Sequence, residues 1–250
     1  MSNLNAGIIV IGNEILSGRT LDTNSNFISK KLIESGIKLD QIRVIQDNEI
    51  EIINTVCEFS KKYTYVFTTG GIGPTHDDIT SESVSKAFNR KYEINSVAYN
   101  ILKEYYPKGE FNEGRQKMAK MPENVELILN PETAAPGFVI KNVYILPGVP
   151  EIMRSMISNV LKNIKKGKPI KTLTLNVNLY ESLIASDLML IQKNNPKCSI
   201  GSYPYFHKDS KSGGVNIVIS SWSLDTLDPI LEEIKKMINL LGGNWSIVCE

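Results

Sequence analysis

Glycines and carboxylates stand close together in one short stretch of the chain, TTGGIGPTHDDIT at residues 68–80. Glycine lets backbone N–H groups approach an anion closely, so the first half of the stretch suits a phosphate. Asp77 and Asp78 follow, and paired carboxylates beside a phosphate usually need a cation between them. The stretch predicts a phosphate site with a divalent metal on both aspartates; a plain strand-to-helix turn is the alternative. The candidate phosphate-binding residues are Thr69, Gly70, Gly71 and Gly73.

A second candidate loop is GNEILSGRTLDTN, residues 12–24, which also follows an apolar run. Glu14 and Asp22 add carboxylates, and Glu14 joins Asp77 and Asp78 as a catalytic candidate. The side chains of Asn13 and Asn24 add neutral donors and acceptors suited to a nucleotide or a pterin. The alternative for Asp22 is a purely structural role as the N-cap of the next helix.

Two further segments supply weaker candidates. In LPGVPE, residues 146–151, Gly148 and the following helix N-terminus could hold another phosphate, with Glu151 in the first helical turn. A turn with a favourable helix-dipole contact explains the same residues equally well. In NEGRQKMA, residues 112–119, the cationic side chains of Arg115 and Lys117 could bind a diphosphate. The alternative is that both lie on a solvent-exposed helix face.

The histidines and cysteines are weak candidates for catalysis or metal binding. His76 could act as a base or ligand, but its place before two acids favours an ordinary loop residue. His207 is expected to pack with its aromatic neighbours. Cys57 and Cys198 are interpreted as small hydrophobic residues.

The elements around these loops predict an α/β domain. Short apolar runs at 7–11, 42–45 and 65–68 alternate with two helical patterns, and the first helix is expected to start at Asp22 or Thr23 and stop at Gly36. This alternation indicates right-handed parallel crossovers. The carboxyl ends of parallel strands meet at one sheet edge, so the three loops should converge there.

Residues 79–121 have helical periodicity, with Thr80 as the expected cap, and predict several helices and no strand. Strands at 125–129, 137–140 and 143–146 follow, then a helix at 150–161. Residues 164–169 form a basic stretch that contains Gly and Pro, and this composition predicts a domain boundary near residue 166. The expected domains are therefore 1–166 and 167–250.

The second domain reads as βαββα, with a possible last strand at 245–248. Strands are predicted at 173–179, 198–203 and 215–221, the last two around a turn at Gly213-Gly214, and helices at 181–192 and 227–241. This order is typical of a small α+β sandwich.

Composition excludes several classes of protein. Lys and Arg number 28 against 27 Asp and Glu, so a net charge of +1 provides no global field for nucleic acid or an anionic membrane. Three widely spaced cysteines exclude a disulfide framework and argue against a structural zinc site. No basic signal region or apolar membrane span is present, so we expect a cytoplasmic protein without nucleic-acid or membrane partners.

Together the motifs resemble the MoaB/Mog-type molybdopterin-binding domain family, in the form found at the N-terminus of the competence/damage-inducible protein CinA. The domain fused to FAD synthases is similar too. The likeness rests on GNEILSG with DTN, TTGGIGPTHDDIT, NEGRQKMAKMP, NPETAAPGF and LPGVPEIM, and GSYP at 201–204 extends it into the second domain. One departure is Thr133, where relatives often have glycine. The amidase domain of CinA, which acts on nicotinamide mononucleotide, has no counterpart here, and we expect no such activity.

The resemblance implies a three-layer α/β/α domain with a mostly parallel sheet, followed by a small α+β domain, and often a homo-oligomer, here a dimer or trimer. It implies Asp77 and Asp78 as metal ligands, with Mg²⁺ or another divalent cation and K⁺ as a further candidate. The expected function is metal-dependent hydrolysis of the pyrophosphate in an adenine dinucleotide such as ADP-ribose or FAD. Adenylylation of molybdopterin, or a non-catalytic pterin or nucleotide carrier, stays open as an alternative.

Overall fold

The computed structural model describes residues 4–206, 213–222 and 226–248. The chain divides into two compact units, Met1–Gly167 and Lys168–Glu250. His207, considered above, and the third cysteine, Cys249, lie outside the described residues. In the part that is described, no helix is both long and apolar enough to cross a membrane.

The first unit contains eight strands and seven helices among its described residues. The strands are β1 Asn5–Ile11, β2 Lys38–Ile45, β3 Tyr65–Thr69, β4 Tyr92–Ile94, β5 Lys120–Pro122, β6 Glu126–Ile128, β7 Gly137–Ile140 and β8 Val143–Leu146. The helices are α1 Asn13–Leu16, α2 Asn24–Glu34, α3 Glu49–Lys62, α4 Thr80–Ala87, α5 Ser96–Tyr105, α6 Glu113–Lys117 and α7 Pro150–Asn163.

Six of these strands form one sheet in the order β2-β1-β3-β8-β7-β6. The four strands β2, β1, β3 and β8 are mutually parallel, and β7 and β6 continue the sheet in antiparallel fashion. The expected mostly parallel sheet is confirmed. The chain leaves β1 to one side for β2 and returns to its other side for β3, so the strand order reverses between β1 and β3. Ligands of open α/β sheets bind at such a reversal, outside the carboxyl ends of the strands.

Helices cover both faces of the sheet, because the central strand β1 is apolar on both sides. Ile9 and Ile11 pack into one core with Phe59 of α3. Ile8 and Val10 pack into the opposite core, together with residues of α2 and α7. The three-layer α/β/α arrangement is therefore confirmed.

Two expectations about the strands and their connections are wrong. The segment 79–121 contains strands as well as helices, since β4 and β5 form a separate antiparallel pair. Each strand has only three residues, too few for a period-two pattern, and their pairing is non-local. Gly213 and Gly214 do not form a turn: they open a strand and pair with Phe206 and Tyr205.

The second unit has the order β9 Lys171–Val177, α8 Glu181–Asn194, β10 Cys198–Phe206, β11 Gly213–Ser221, α9 Leu227–Leu240 and β12 Trp245–Val248. Its antiparallel sheet runs β10-β11-β9-β12. Apolar residues from both helices and from alternate strand positions form a single core. The small α+β domain is confirmed, including its last strand.

Candidate functional site

A cleft of about 480 Å³ lies at the carboxyl ends of β1, β3 and β8. It is therefore at the edge where the strand order reverses. Seven residues proposed from the sequence line it: Glu14, Gly70, Gly71, Gly73, Asp77, Asp78 and Gly148. The folded chain thus brings together residues from all three predicted loops.

The glycine loop after β3 can be built only with glycine at its first two positions. Gly70 has φ +105°, and a Cβ there would lie 2.1 Å from the carbonyl oxygen of Ile11. Gly71 has φ +69°, and its Cβ would lie 2.1 Å from Thr80 Oγ1. Both conformations are in the region that side-chain-bearing residues avoid. The loop therefore passes unusually close to β1 and α4, with its backbone exposed toward the cleft.

The N–H groups of this loop divide into two kinds. Gly70 N donates to Leu146 O at 3.1 Å, which attaches the loop to the end of β8. Within the described chain, the N–H groups of Gly71, Ile72 and Gly73 donate to no acceptor. Three consecutive free N–H groups at the wall of a cleft form a site that an anion can occupy.

The two aspartates of the loop differ in their surroundings. Asp78 Oδ2 accepts a 2.9 Å hydrogen bond from Thr75 N and a second from the Thr75 hydroxyl, so Asp78 holds the loop in shape. Asp77 is two-thirds exposed. Hydrogen bonding by the Thr75 side chain is the main reason that the pKa of Asp77 is lowered, and the charges of His76 and Lys117 add to this. Asp77 is therefore the freer of the two to bind a ligand.

Sequence reasoning missed a fourth carboxylate in the cleft, that of Asp47. Its Oδ2 accepts from Asn13 N at 2.9 Å. Partial burial raises the pKa of Asp47, and the negative charges of Glu14, Asp77 and Asp78 raise it further, although the Asn13 hydrogen bond opposes them. The available signal was its position two residues after β2, at the same sheet edge. No glycine stands near it in the sequence to mark an anion loop.

A small crevice of about 60 Å³ adjoins the cleft, and Glu14 and Gly148 line both. Asp22, Asn24 and Thr69 line only the crevice. Asp22 Oδ1 accepts from the N–H groups of Asn24 and Ser25, each at 3.0 Å, and Oδ2 accepts from the Ser25 hydroxyl. Asp22 therefore has the structural role of pairing the first N–H groups of α2, although it does so from the position before the N-cap, which is Thr23.

Three buried side-chain oxygens have no hydrogen-bond partner within the described residues: Asn24 Oδ1, Thr68 Oγ1 and Thr80 Oγ1. All three belong to the elements around the cleft, namely the start of α2, the end of β3 and the start of α4. Thr80 does not cap α4, because Ile79 occupies the cap position and makes no side-chain cap bond. An unpaired buried polar group costs about 1–3 kcal/mol, so its presence calls for an explanation.

Four of the predicted residues line neither the cleft nor the crevice. The Arg115 guanidinium stacks on Tyr106, 4.0 Å from the ring centroid, and its Nη1 donates to Glu110 O and to the Glu110 carboxylate. Lys117 Nζ donates to Thr75 O and does not line the cleft. Glu151 is exposed in the first turn of α7, outside the cleft lining, and Asn13 contributes its backbone N–H to Asp47. His76 is 98% exposed.

The lining of the cleft is acidic. Glu14, Asp47, Asp77 and Asp78 contribute carboxylates, and no Lys, Arg or His lines it. Within residues 4–206, 213–222 and 226–248, no three His, Cys, Asp or Glu side chains are grouped so that they alone could hold a metal ion. A divalent ion here would need oxygen ligands from the substrate, as Mg²⁺ in phosphate sites commonly has.

Comparison with known families identifies the chain. Residues 7–166, well over half of the sequence, match the family described as a probable molybdopterin binding domain. The chain belongs to this family. Residues 169–241, within the second unit, match the middle domain of FAD synthase. The resemblance seen in the motifs is thereby confirmed.

Similar proteins occur in archaea. A protein of Archaeoglobus fulgidus is 35% identical over 232 residues, covering 93% of this chain and 97% of its own. A protein of Sulfurisphaera tokodaii is 34% identical over 256 residues, covering 95% and 96%. The crystal structure of CinA, a protein of unknown function from Thermoplasma acidophilum, has 36% identity and a TM-score of 0.61 and covers 65% of this chain and 99% of that one.

Proposed function

We propose that the first unit is a metal-dependent pyrophosphatase acting on an adenine dinucleotide such as ADP-ribose or FAD. The observation that carries this proposal is the pairing of a free-amide glycine loop with a cleft that holds four carboxylates and no basic side chain. The amides suit phosphate oxygens, but the carboxylates repel a bare diphosphate. A divalent cation between them removes this conflict.

Different residues of the cleft would bind the phosphate and the metal. The N–H groups of Gly71, Ile72 and Gly73 would donate to one phosphate. Asp77, with a lowered pKa and an exposed carboxylate, would hold the metal together with the free oxygen of Asp78. Lys117 contributes a positive charge to this loop through its contact with Thr75 O.

Hydrolysis then needs an activated water molecule. Bound Mg²⁺ would neutralise charge that develops on the phosphate oxygens. Glu14, whose carboxylate makes no hydrogen bond to the described chain, would orient the water and accept its proton. Water oxygen forms a bond to one phosphorus while the bond from that phosphorus to the bridging oxygen breaks. Two monophosphates result.

A second candidate function is binding or adenylylation of molybdopterin. The same acidic lining supports it, because the N–H groups of a pterin ring pair well with a carboxylate. Asp47 is the best placed partner, since its pKa is already raised and a donor would compensate the charge repulsion there. The family description points in this direction as well.

One screen separates these functions. Purified protein with Mg²⁺, Mn²⁺ or Co²⁺ is incubated with ADP-ribose, FAD, NAD, or molybdopterin plus ATP, and phosphate products are resolved by chromatography. Two monophosphates from a dinucleotide support the pyrophosphatase. Adenylylated molybdopterin supports the transferase, and ligand binding without turnover supports a carrier.

A further inference from the structure

Gly12 stands directly after β1, at the start of the loop that carries Glu14. Its backbone is extended, with φ 166° and ψ 120°, so the backbone conformation does not require glycine here. Its N–H donates to Ile45 O at 3.1 Å and its carbonyl accepts from Ile15 N at 3.2 Å, which fixes the residue in place. What glycine provides at this position is therefore the space beside its Cα.

That space is filled by the carboxyl group of Glu14. A Cβ built on Gly12 would lie 2.5 Å from Glu14 Oε1, 2.8 Å from Cδ and 2.8 Å from Oε2. These three nearest atoms all belong to one side chain, that of a residue lining the cleft. A Cβ and the carboxylate cannot occupy these positions together. Because hydrogen bonds hold the Gly12 backbone, a larger residue there would displace the carboxylate.

The described chain does not hold the Glu14 carboxylate by hydrogen bonds. Ser17 Oγ and Thr20 N both donate to the backbone carbonyl of Glu14, and within the described residues no group donates to its carboxylate. The position of the carboxylate therefore depends on packing, and Gly12 leaves that position open.

Gly73 and Asp78 repeat this arrangement in the glycine loop. A Cβ on Gly73 would lie 2.7 Å from Asp78 Oδ2, 3.0 Å from Oδ1 and 3.1 Å from Cγ. Gly70 differs, since its Cβ would meet the backbone carbonyl of Ile11 and its φ is positive. Two of the four cleft carboxylates thus lie where a neighbouring glycine has no side chain.

We propose that Gly12 is a positioning residue, and that its missing side chain lets the Glu14 carboxylate lie at the wall of the cleft. Glycine is needed at this position to orient Glu14 and not to fold the loop. The inference rests on the proposed function in one respect, because the task of the oriented carboxylate is to accept a proton from water there. The placement of Glu14 beside Gly12 can be measured without any substrate.

Gly12→Ala tests the placement, because the group that the new methyl meets is the end of a flexible side chain, which can rotate away while the fold persists. Coupling of glycine ethyl ester by a carbodiimide labels carboxylates according to their exposure, and mass spectrometry locates the label. Glu14 is half-buried in the wild type. Its labelling rate should rise several-fold in Gly12→Ala, whereas that of the exposed Glu34 should stay unchanged.

A matched control is Gly18→Ala in the same loop. Gly18 has φ +72°, and no atom lies within 4 Å of its Cβ position. This variant should lose stability because of its backbone conformation, yet label Glu14 at the wild-type rate. A wild-type labelling rate of Glu14 in Gly12→Ala as well would overturn the proposal.

Turnover gives a second readout, with the substrate that the screen identifies. Gly12→Ala should lower kcat at least ~10-fold and leave KM nearly unchanged, because orientation of the base is lost and binding is not. In a Glu14→Ala background, Gly12→Ala should have no further effect. Additive losses in kcat would show that Gly12 does not act through Glu14, and would overturn the proposal.

The remaining outcomes also decide. If Gly12→Ala does not fold, adding Glu14→Ala should restore folding, because it removes the carboxyl group that the methyl meets; failure to restore it would overturn the proposal. If labelling of Glu14 rises as expected but the wild type turns over no nucleotide or pterin, the proposed function fails and the placement of Glu14 by Gly12 stands.

Discussion

The two units satisfy their buried polar groups to different degrees. Around the cleft of the first unit, three buried side-chain oxygens lack partners. In the described part of the second unit no such atom occurs. There Gln192 shows the opposite behaviour, since its side chain donates to Cys198 O and accepts from Ile200 N, pairing the backbone of the edge strand β10.

The polar side chains of the two units also differ in how they are paired. Four carboxylates share one cleft in the first unit, where partial burial and then the charges of the other three raise the pKa of Asp47. In the second unit the neighbouring polar side chains of Asn176 and Asn216 pair with each other. Natural proteins leave buried polar groups unpaired and like charges close together mainly where function requires it. The comparison therefore supports our proposal that a ligand binds at the sheet edge of the first unit.

The largest effect should follow from Gly70→Ala. A methyl group there meets the carbonyl oxygen of Ile11, so we expect a loss of about 3 kcal/mol in the free energy of unfolding and loss of ligand binding. Gly109→Ala is the control, because Gly109 also has positive φ, +93°, but open space around its Cβ. It should cost only about 1 kcal/mol. Urea denaturation measures both, and equal losses would show that the close approach to β1 is unimportant.

Asp77→Asn tests the acidic cleft through activity. The carboxamide oxygen of the variant can still accept from the Thr75 hydroxyl, so we expect a melting temperature close to that of the wild type and a loss of at least ~10²-fold in turnover. Asp78→Ala should lose as much turnover and also some stability, since Asp78 anchors Thr75. The exposed Asp187 of the second unit, changed to Asn, serves as the control. Full activity in both cleft variants would refute the metal site.

Asp47→Asn should increase stability while it impairs function. The pKa of Asp47 in the folded protein is above its ordinary 3.8, so the folded state binds more protons than the unfolded state in the window between these values. Stability due to Asp47 therefore falls as pH rises through this window. At pH 7 the variant should be more stable by about 0.2–1 kcal/mol, and the gain should vanish well below pH 3.8. Melting curves across this range provide the check, and a less stable variant at pH 7 would contradict the repulsion.

The smallest effect on binding is expected from Arg115→Ala. Its guanidinium is occupied by Tyr106 and Glu110, so the variant should lose about 0.5–1 kcal/mol of stability and keep its affinity for diphosphate ligands. Lys117→Ala, which removes the positive charge at Thr75 O, should weaken the same ligands moderately. A selective loss of diphosphate affinity in Arg115→Ala would restore the role that the sequence suggested.

Much of this site could be predicted from the sequence because its signals are local. The apolar run of β1 and the glycines after β3 mark a buried strand and an anion loop without reference to distant residues. Asp47 lies in no glycine-rich motif, so its only sequence signal is its position two residues after β2, and its charge coupling to Glu14 emerges only in the fold. Likewise, the Arg115 guanidinium stacks on the Tyr106 ring, and this contact exists only in the folded protein.

The Asn130 loop shows an intermediate case. Thr133 stands where relatives often have glycine. In the structure its hydroxyl oxygen accepts a hydrogen bond from Asn130 Nδ2 at 2.7 Å. Asn130 also accepts from Glu132 N and Thr133 N, which holds the loop against the cleft. Ala134 has φ +63° in this loop, where glycine would be less strained. Such a compensated strain cannot be deduced from a pattern of residue types alone.

A metal-bridged diphosphate is tested most directly by calorimetric comparison of ADP-ribose and AMP, each with Ca²⁺ and with EDTA. We expect ADP-ribose to bind at least tenfold more tightly than AMP when Ca²⁺ is present. EDTA should remove this preference, because a bare diphosphate is repelled by the four carboxylates. Equal affinities for the two ligands with Ca²⁺, or a preference that survives EDTA, would contradict a metal-bridged diphosphate in this cleft.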